Sequence, residues 1–288
     1  MYAAARSRRP PKHRDNELWL LRRTKSALKQ GVRTVLPARA DQRQALLVFG
    51  CQRSGTTMLQ QSLLASSWRV IILEEHDRRL VRASDAEHLR WDNLNHVSAR
   101  MMALPFELVV AKPLVESHRA RELLNSIGQA RGIWMLRHYR AVARSNLERF
   151  GIGNGFRDLR ILVETGPANW RGTVTDEVRE HVAKLLASAP SPLDAAAVFW
   201  WARNQLYLDQ ELSHDDRIRV MHYEAMTENP HECLEALSEF VGLRLPLRAM
   251  ERQIRPIRHE SEKLRPDIEL LCSNLLQKFQ NVPDIPRH

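Results

Sequence analysis

The stretch from Leu46 to Gln60, "LLVFGCQRSGTTMLQ", constrains the chain more than any other. An apolar run ends at Gly50, four residues intervene, and Gly55 is followed at once by two threonines and an apolar helical pattern. Strand, glycine loop and helix in that order make a phosphate-binding loop, in which backbone N–H groups and a helix N-terminus face an anion. The loop also carries an anomaly. A triphosphate-binding loop places a lysine directly after its second glycine, to reach the terminal phosphates, and a magnesium-holding hydroxyl next. Here Thr56 stands in the lysine's place, and the loop's cation is Arg53. Thr56 supplies no charge, whereas the Arg53 guanidinium sits where it meets a bridging or transferred group. An anion site follows; a triphosphate with magnesium is not demanded.

The flanking sequence repeats the alternation of strand and helix. "WRVIILEEHD" reads as a second strand, "FELVVAKP" as a third that stops at Pro113, and "ESHRARELLNSI" as a helix. "RGIWMLRHYRAVARSNLERFG" gives strand, turn and helix, with Gly151 placed to cap the helix. "RILVETGPANWRG" reads as a short strand and loop, and "LDAAAVFWWARNQLYLDQEL" as a long helix whose Trp200 and Trp201 are core candidates. "RIRVMHYEAM" reads as the last strand, "NPHECLEALSEFVGL" as a helix with Pro230 in its first turn, and Pro266 to Phe279 as the closing helix. The expected fold is α/β: a three-layer P-loop fold with a mostly parallel central sheet flanked by helices.

Composition bounds the remaining questions. The chain has 288 residues, 43% of them apolar, which suffices for one full core, so residues 41–288 are expected to form one domain. Residues 1–40 read as a basic arm with one short amphipathic helix, "ELWLLRRTKSALKQ". The net charge of +10 comes from 44 basic residues scattered among 34 acidic ones, not from one stripe, so no nucleic-acid partner is expected. Cys51, Cys233 and Cys272 lie too far apart for a disulfide framework or a zinc spacing, which points to a reducing, cytoplasmic setting and no metal site. No apolar run approaches the roughly 18 residues of a membrane span, so none is expected.

Two segments together resemble one family. "CQRSGTTML" resembles the loop with which sulfotransferases wrap the phosphosulfate end of 3'-phosphoadenosine 5'-phosphosulfate (PAPS), where a basic residue precedes Ser-Gly-Thr-Thr. In that family the basic residue is often lysine; Arg53 stands there here. "RHYRAVARS" places Arg137 and Ser145 eight residues apart, as in the family's 3'-phosphate site. A guanidinium forks onto phosphate oxygens, and a hydroxyl reaches the same oxygens. "VVAKP", the "HYEAMTENP" region with Tyr223 and Glu224, and the closing helix resemble the family more loosely, so the likeness runs from about Leu46 to Phe279.

The resemblance implies a PAPS-dependent sulfotransferase, of the bacterial and glycan-modifying type, that moves a sulfuryl group to a hydroxyl or amine and releases 3'-phosphoadenosine 5'-phosphate (PAP). It implies a nucleotide site of Cys51, Gln52, Arg53, Ser54, Gly55, Thr56, Thr57, Arg137 and Ser145. Arg258 is the choice from a basic tail that also holds Arg255, His259 and Lys263. Arg53 is the expected catalytic cation, and the base is Glu75 first and His76 second, just past the second strand beside Glu74. The acceptor, a small molecule, glycan or lipid, is not specified by the sequence, and a homodimer is compatible with it. Two other readings stay open: a P-loop small-molecule kinase or NTPase, against which Thr56 argues, and a noncatalytic nucleotide-binding protein.

Overall fold

The computed structural model describes residues 38–66, 68–74, 77, 80, 91, 93–254 and 263–285. Five strands, β1 (Gln44–Gly50), β2 (Val70–Leu73), β3 (Leu108–Ala111), β4 (Ala130–Leu136) and β5 (Ile218–His222), form one sheet in the order β2-β3-β1-β4-β5. All four pairings are parallel. Parallel neighbours need crossover connections, and helices supply them: α1 (Thr56–Ser66), α2 (Leu94–Ala103), α3 (Ala120–Ser126), α4 (Tyr139–Phe150), α5 (Asn154–Glu164), α6 (Asp176–Ala187) and α7 (Pro192–Asp209). After β5 come α8 (Tyr223–Glu228), α9 (Pro230–Phe240), α10 (Leu247–Glu251) and α11 (Pro266–Lys278).

The period-two geometry of a strand explains why the sheet is covered on both faces. Along β1, Ala45, Leu47 and Phe49 point into a core shared with Trp134 of β4 and Phe199 and Trp200 of α7. Leu46 and Val48 point the other way, into a core with Leu59 and Leu63 of α1 and Leu234 and Leu237 of α9. Each such leucine, valine or phenylalanine, fully withdrawn from water, contributes about 1.5–3 kcal/mol relative to exposure.

α7 starts sharply because Pro192 takes the first helical position inside a capping box. Ser191 Oγ accepts from Asp194 N (3.1 Å), and Asp194 Oδ2 accepts from Ser191 N (3.0 Å). Helix α4 ends at Gly151, whose N–H donates to Leu147 O at 2.8 Å.

Two sequence expectations change. "RILVE" is not a strand: Arg160 to Glu164 continue α5, whose Leu159 and Leu162 are buried at helical spacing. A β-rich composition over five residues is overridden by that packing. The segment after Pro113 begins as a six-residue 3-10 turn, Leu114–Arg119, before α3. The arm at 1–37, with its expected helix, lies outside the described residues.

Candidate functional site

Every strand runs the same way, so the five strand ends deliver their loops to one edge of the sheet. The loop 51–55 follows β1, Glu74 follows β2, Lys112 follows β3, Arg137 follows β4 and Tyr223 follows β5. The loop is pinned from below: Gly50 N donates to Ser117 Oγ (3.1 Å), and that hydroxyl donates to Leu114 O (2.9 Å).

Both loop glycines are required by shape. Gly50 (φ +119°) lies so near β4 that a Cβ there would stand 2.5 Å from Met135 O. Gly55 (φ +88°) lies against Tyr223, whose Cδ2 would be 2.3 Å from an added Cβ. Between them Arg53 holds a left-handed backbone (φ +72°) without being glycine, a conformation that costs on the order of 1–3 kcal/mol and turns up at ligand sites.

The two distant motifs meet. Arg53 Nε donates to Ser145 Oγ at 3.0 Å, and Arg137 Nη1 donates to Arg53 O at 3.4 Å. Arg137 is held from three directions. Its guanidinium carbon sits 4.3 Å from the Tyr223 ring centroid, and its carbonyl accepts from Trp200 Nε1 at 3.0 Å. Tyr223 therefore touches both segments, one through Gly55 and the other through Arg137. Partial desolvation, with Arg149 and Arg137 nearby, pushes the Arg53 ionisation below its ordinary value, and Glu148 opposes the shift. Arg53, Arg137 and Arg149 thus gather positive charge at this end of the sheet.

On the other flank of β1, Lys112 Nζ lies 3.4 Å from Thr57 Oγ1 and 3.3 Å from Gln60 Oε1, and 3.8 Å from Glu74 Oε2. Gln60 Nε2 donates to Glu74 Oε1 at 2.9 Å. Lys112 is the site residue that sequence reasoning passed over; its signal was the lysine before proline in "VVAKP".

Of the sequence candidates, Cys51, Gln52, Arg53, Ser54, Gly55, Thr56, Thr57, Arg137 and Ser145 come together here. Glu75, His76 and Arg258 lie outside the described residues. Cys51 is buried, and burial raises its thiol to about 12 against a smaller lowering by Arg203, so it is no nucleophile. His118 is pushed down to about 4 by burial and then by Arg203, with its contact to the Val115 carbonyl opposing. Among the described residues no group of three or more His, Cys, Asp or Glu is placed to hold a metal.

These residues fit a nucleotide with anionic groups at both ends of its ribose. Ser54 Oγ is fully buried and has no hydrogen-bond partner in the described structure, while the N-terminus of α1 opens toward the same loop. Gly55 leaves no room for a side chain beside Tyr223, so its backbone stays bare at the loop, and Arg137 and Ser145 both lie against Arg53.

A family model described as "Sulfotransferase domain" matches residues 43–269. This chain belongs to the sulfotransferase family. At the level of the family, that supports enzymatic sulfuryl transfer from PAPS. Comparison with curated proteins finds no match. Solved structures of similar shape include a sulfotransferase from Alicyclobacillus acidocaldarius, with 14% identity over 82% of this chain and 92% of that one and a TM-score of 0.43. Sulfotransferase STF9 from Mycobacterium avium shares 15% identity over 91% of this chain and 83% of that one, with a TM-score of 0.46. Mouse sulfotransferase SULT7A1, solved with PAP, shares 12% identity over 81% of this chain and 71% of that one, with a TM-score of 0.41.

Proposed function

We propose that this sulfotransferase moves the sulfuryl group of PAPS to a hydroxyl or amine on a small molecule, glycan or lipid, with residues 41–288 as one catalytic unit. The supporting observation is the contact between Arg53 and Ser145. It joins a loop that lacks the triphosphate lysine to a second, separate phosphate-binding segment.

Bound PAPS supplies the sulfuryl group and leaves as PAP. Arg137 and Ser145 hold the 3'-phosphate with a guanidinium fork and a hydroxyl. The N–H groups at the start of α1, with Thr56 and Thr57, hold the 5'-phosphate, and Arg258 is a further cation for the nucleotide. Arg53 and Lys112 approach the loop from opposite flanks of β1 and place positive charge where the leaving phosphate gains negative charge. Glu74 is already engaged by Gln60 and Lys112, so it suits orienting the lysine. Proton removal from the acceptor falls to Glu75 first and His76 second.

Calorimetry in magnesium-free buffer tests the reading, with PAP, ATP and the Arg137→Ala variant. Tight PAP binding, weak ATP binding and loss in the variant are expected. A folded protein that binds ATP more tightly than PAP, or binds neither, overturns it.

A further inference from the structure

Behind the anion site, hydrogen bonds close a ring that neither motif announces. Arg53 reaches Ser145, and Asn146, the next residue of α4, turns its side chain into the protein, where its Oδ1 accepts from Asn154 Nδ2 at 3.0 Å. The same Nδ2 donates to Asp158 Oδ2 at 2.8 Å, and that oxygen also accepts from Gln52 Nε2 at 3.4 Å. Gln52 precedes Arg53, so the circuit returns to its start. One link, Arg53 to Ser145, is exposed; Asn146, Asn154 and Asp158 form a floor no more than 4% exposed.

Donor chemistry fixes which way each amide points. Arg157, which can only donate, donates to Asn154 Oδ1, so Asn154 must turn its nitrogen to Asp158. Arg171 Nε occupies Asp158 Oδ1 at 2.7 Å, leaving Oδ2 for Asn154 and Gln52. The carboxylate therefore dictates a donating Gln52 above it and a donating Asn154 beside it. The 1% exposure of Asp158 is sustained by these donors and by the matching Arg171 charge.

We propose that Asp158 is a positioning residue that makes recognition of the two ends of the nucleotide cooperative. The inference rests on the sulfotransferase reading above. The floor ties the loop that holds the 5' end to the helix that holds the 3' end. Ordering either segment removes freedom from the other, and the second phosphate meets a site already arranged.

The test uses the full chain and four probes: adenosine, adenosine 5'-phosphate, adenosine 3'-phosphate and PAP. In the native protein the PAP affinity exceeds the product of the two single-phosphate gains by about tenfold, within the usual range of such couplings. Asp158→Asn turns an NH2 toward the donors of Asn154 or Gln52, and the excess falls to near one while each single phosphate keeps its affinity within about threefold. Asn146→Ala cuts the ring at its α4 link, where Asn154 Nδ2 keeps its bond to Asp158, and gives the same loss, which protects the test if Asp158→Asn fails to fold. An unchanged excess in both variants overturns the proposal. So does an equal weakening of all four ligands, or the absence of any excess in the native protein. Failure of the native protein to bind PAP at all is a separate result: it removes the sulfotransferase reading and this inference with it.

Discussion

Replacing Gly55 by alanine tests whether Tyr223 is the shared support of the site. Two costs add. A side chain at φ +88° costs roughly 1–2 kcal/mol, and a Cβ placed 2.3 Å from the Tyr223 ring forces the ring or the loop to move. Overpacking of that sort costs about 1–3 kcal/mol. If the ring yields, it leaves the Arg137 guanidinium it now faces at 4.3 Å, a contact worth on the order of 0.5–2 kcal/mol. The first two costs total roughly 2–5 kcal/mol of stability, read as a lowered urea midpoint with an unchanged slope. PAP affinity, measured by calorimetry, falls with it. The decisive arm is a double-mutant cycle with Tyr223→Leu. Because the overlap exists only when both side chains are present, the double variant should cost less than the sum of the singles by about 1–3 kcal/mol. Additive costs would refute the argument that Gly55 is glycine to accommodate this ring.

Lys112→Met should slow single-turnover release of PAP from PAPS by about a hundredfold while leaving PAP affinity within about threefold; the reverse pattern would make Lys112 a binding residue only. His118 supplies a pH signature. Its folded value of about 4 lies below the ordinary 6.5, so the unfolded chain binds the extra proton between those limits. Stability is full above pH 6.5 and declines as pH falls toward 4, by on the order of 3 kcal/mol, and His118→Gln should flatten urea stability over that window. All three cysteines are buried, so the native chain should resist alkylation at pH 7.5 and react promptly in urea; fast labelling of the native protein at Cys51 would contradict its raised ionisation.

The parallel sheet and the glycine loop between β1 and α1 were legible because each rests on local pattern. An apolar run ending in Gly50 leaves few alternatives, and the eight-residue step from Arg137 to Ser145 spans a strand end and two helical turns. Residues that depend on chain crossings were not legible. Nothing in "VVAKP" states that Lys112 will stand beside Thr57, 55 residues away. Asp158 sits in a stretch whose "RILVE" suggests a strand by composition, and only its packing against α7 makes the helix that turns Asp158 toward Gln52. Tyr223 belongs to a segment whose likeness was only loose, and nothing in that segment states that its ring lies against Gly55.

The strand order has a consequence for how such a protein changes over time. With β1 central, the arginines of the nucleotide motifs lie toward β4, while Glu74 and Lys112 hang from β2 and β3 on the opposite flank. β2 is the edge strand and, among the described strands, pairs with β3 alone, so its outer side borders no other strand. Insertions and substitutions around the β2 flank can therefore be tried by selection, or by an engineer, without unsettling the β4 side. A fold divided in this way can hold one donor for a long time and exchange the molecule that receives from it.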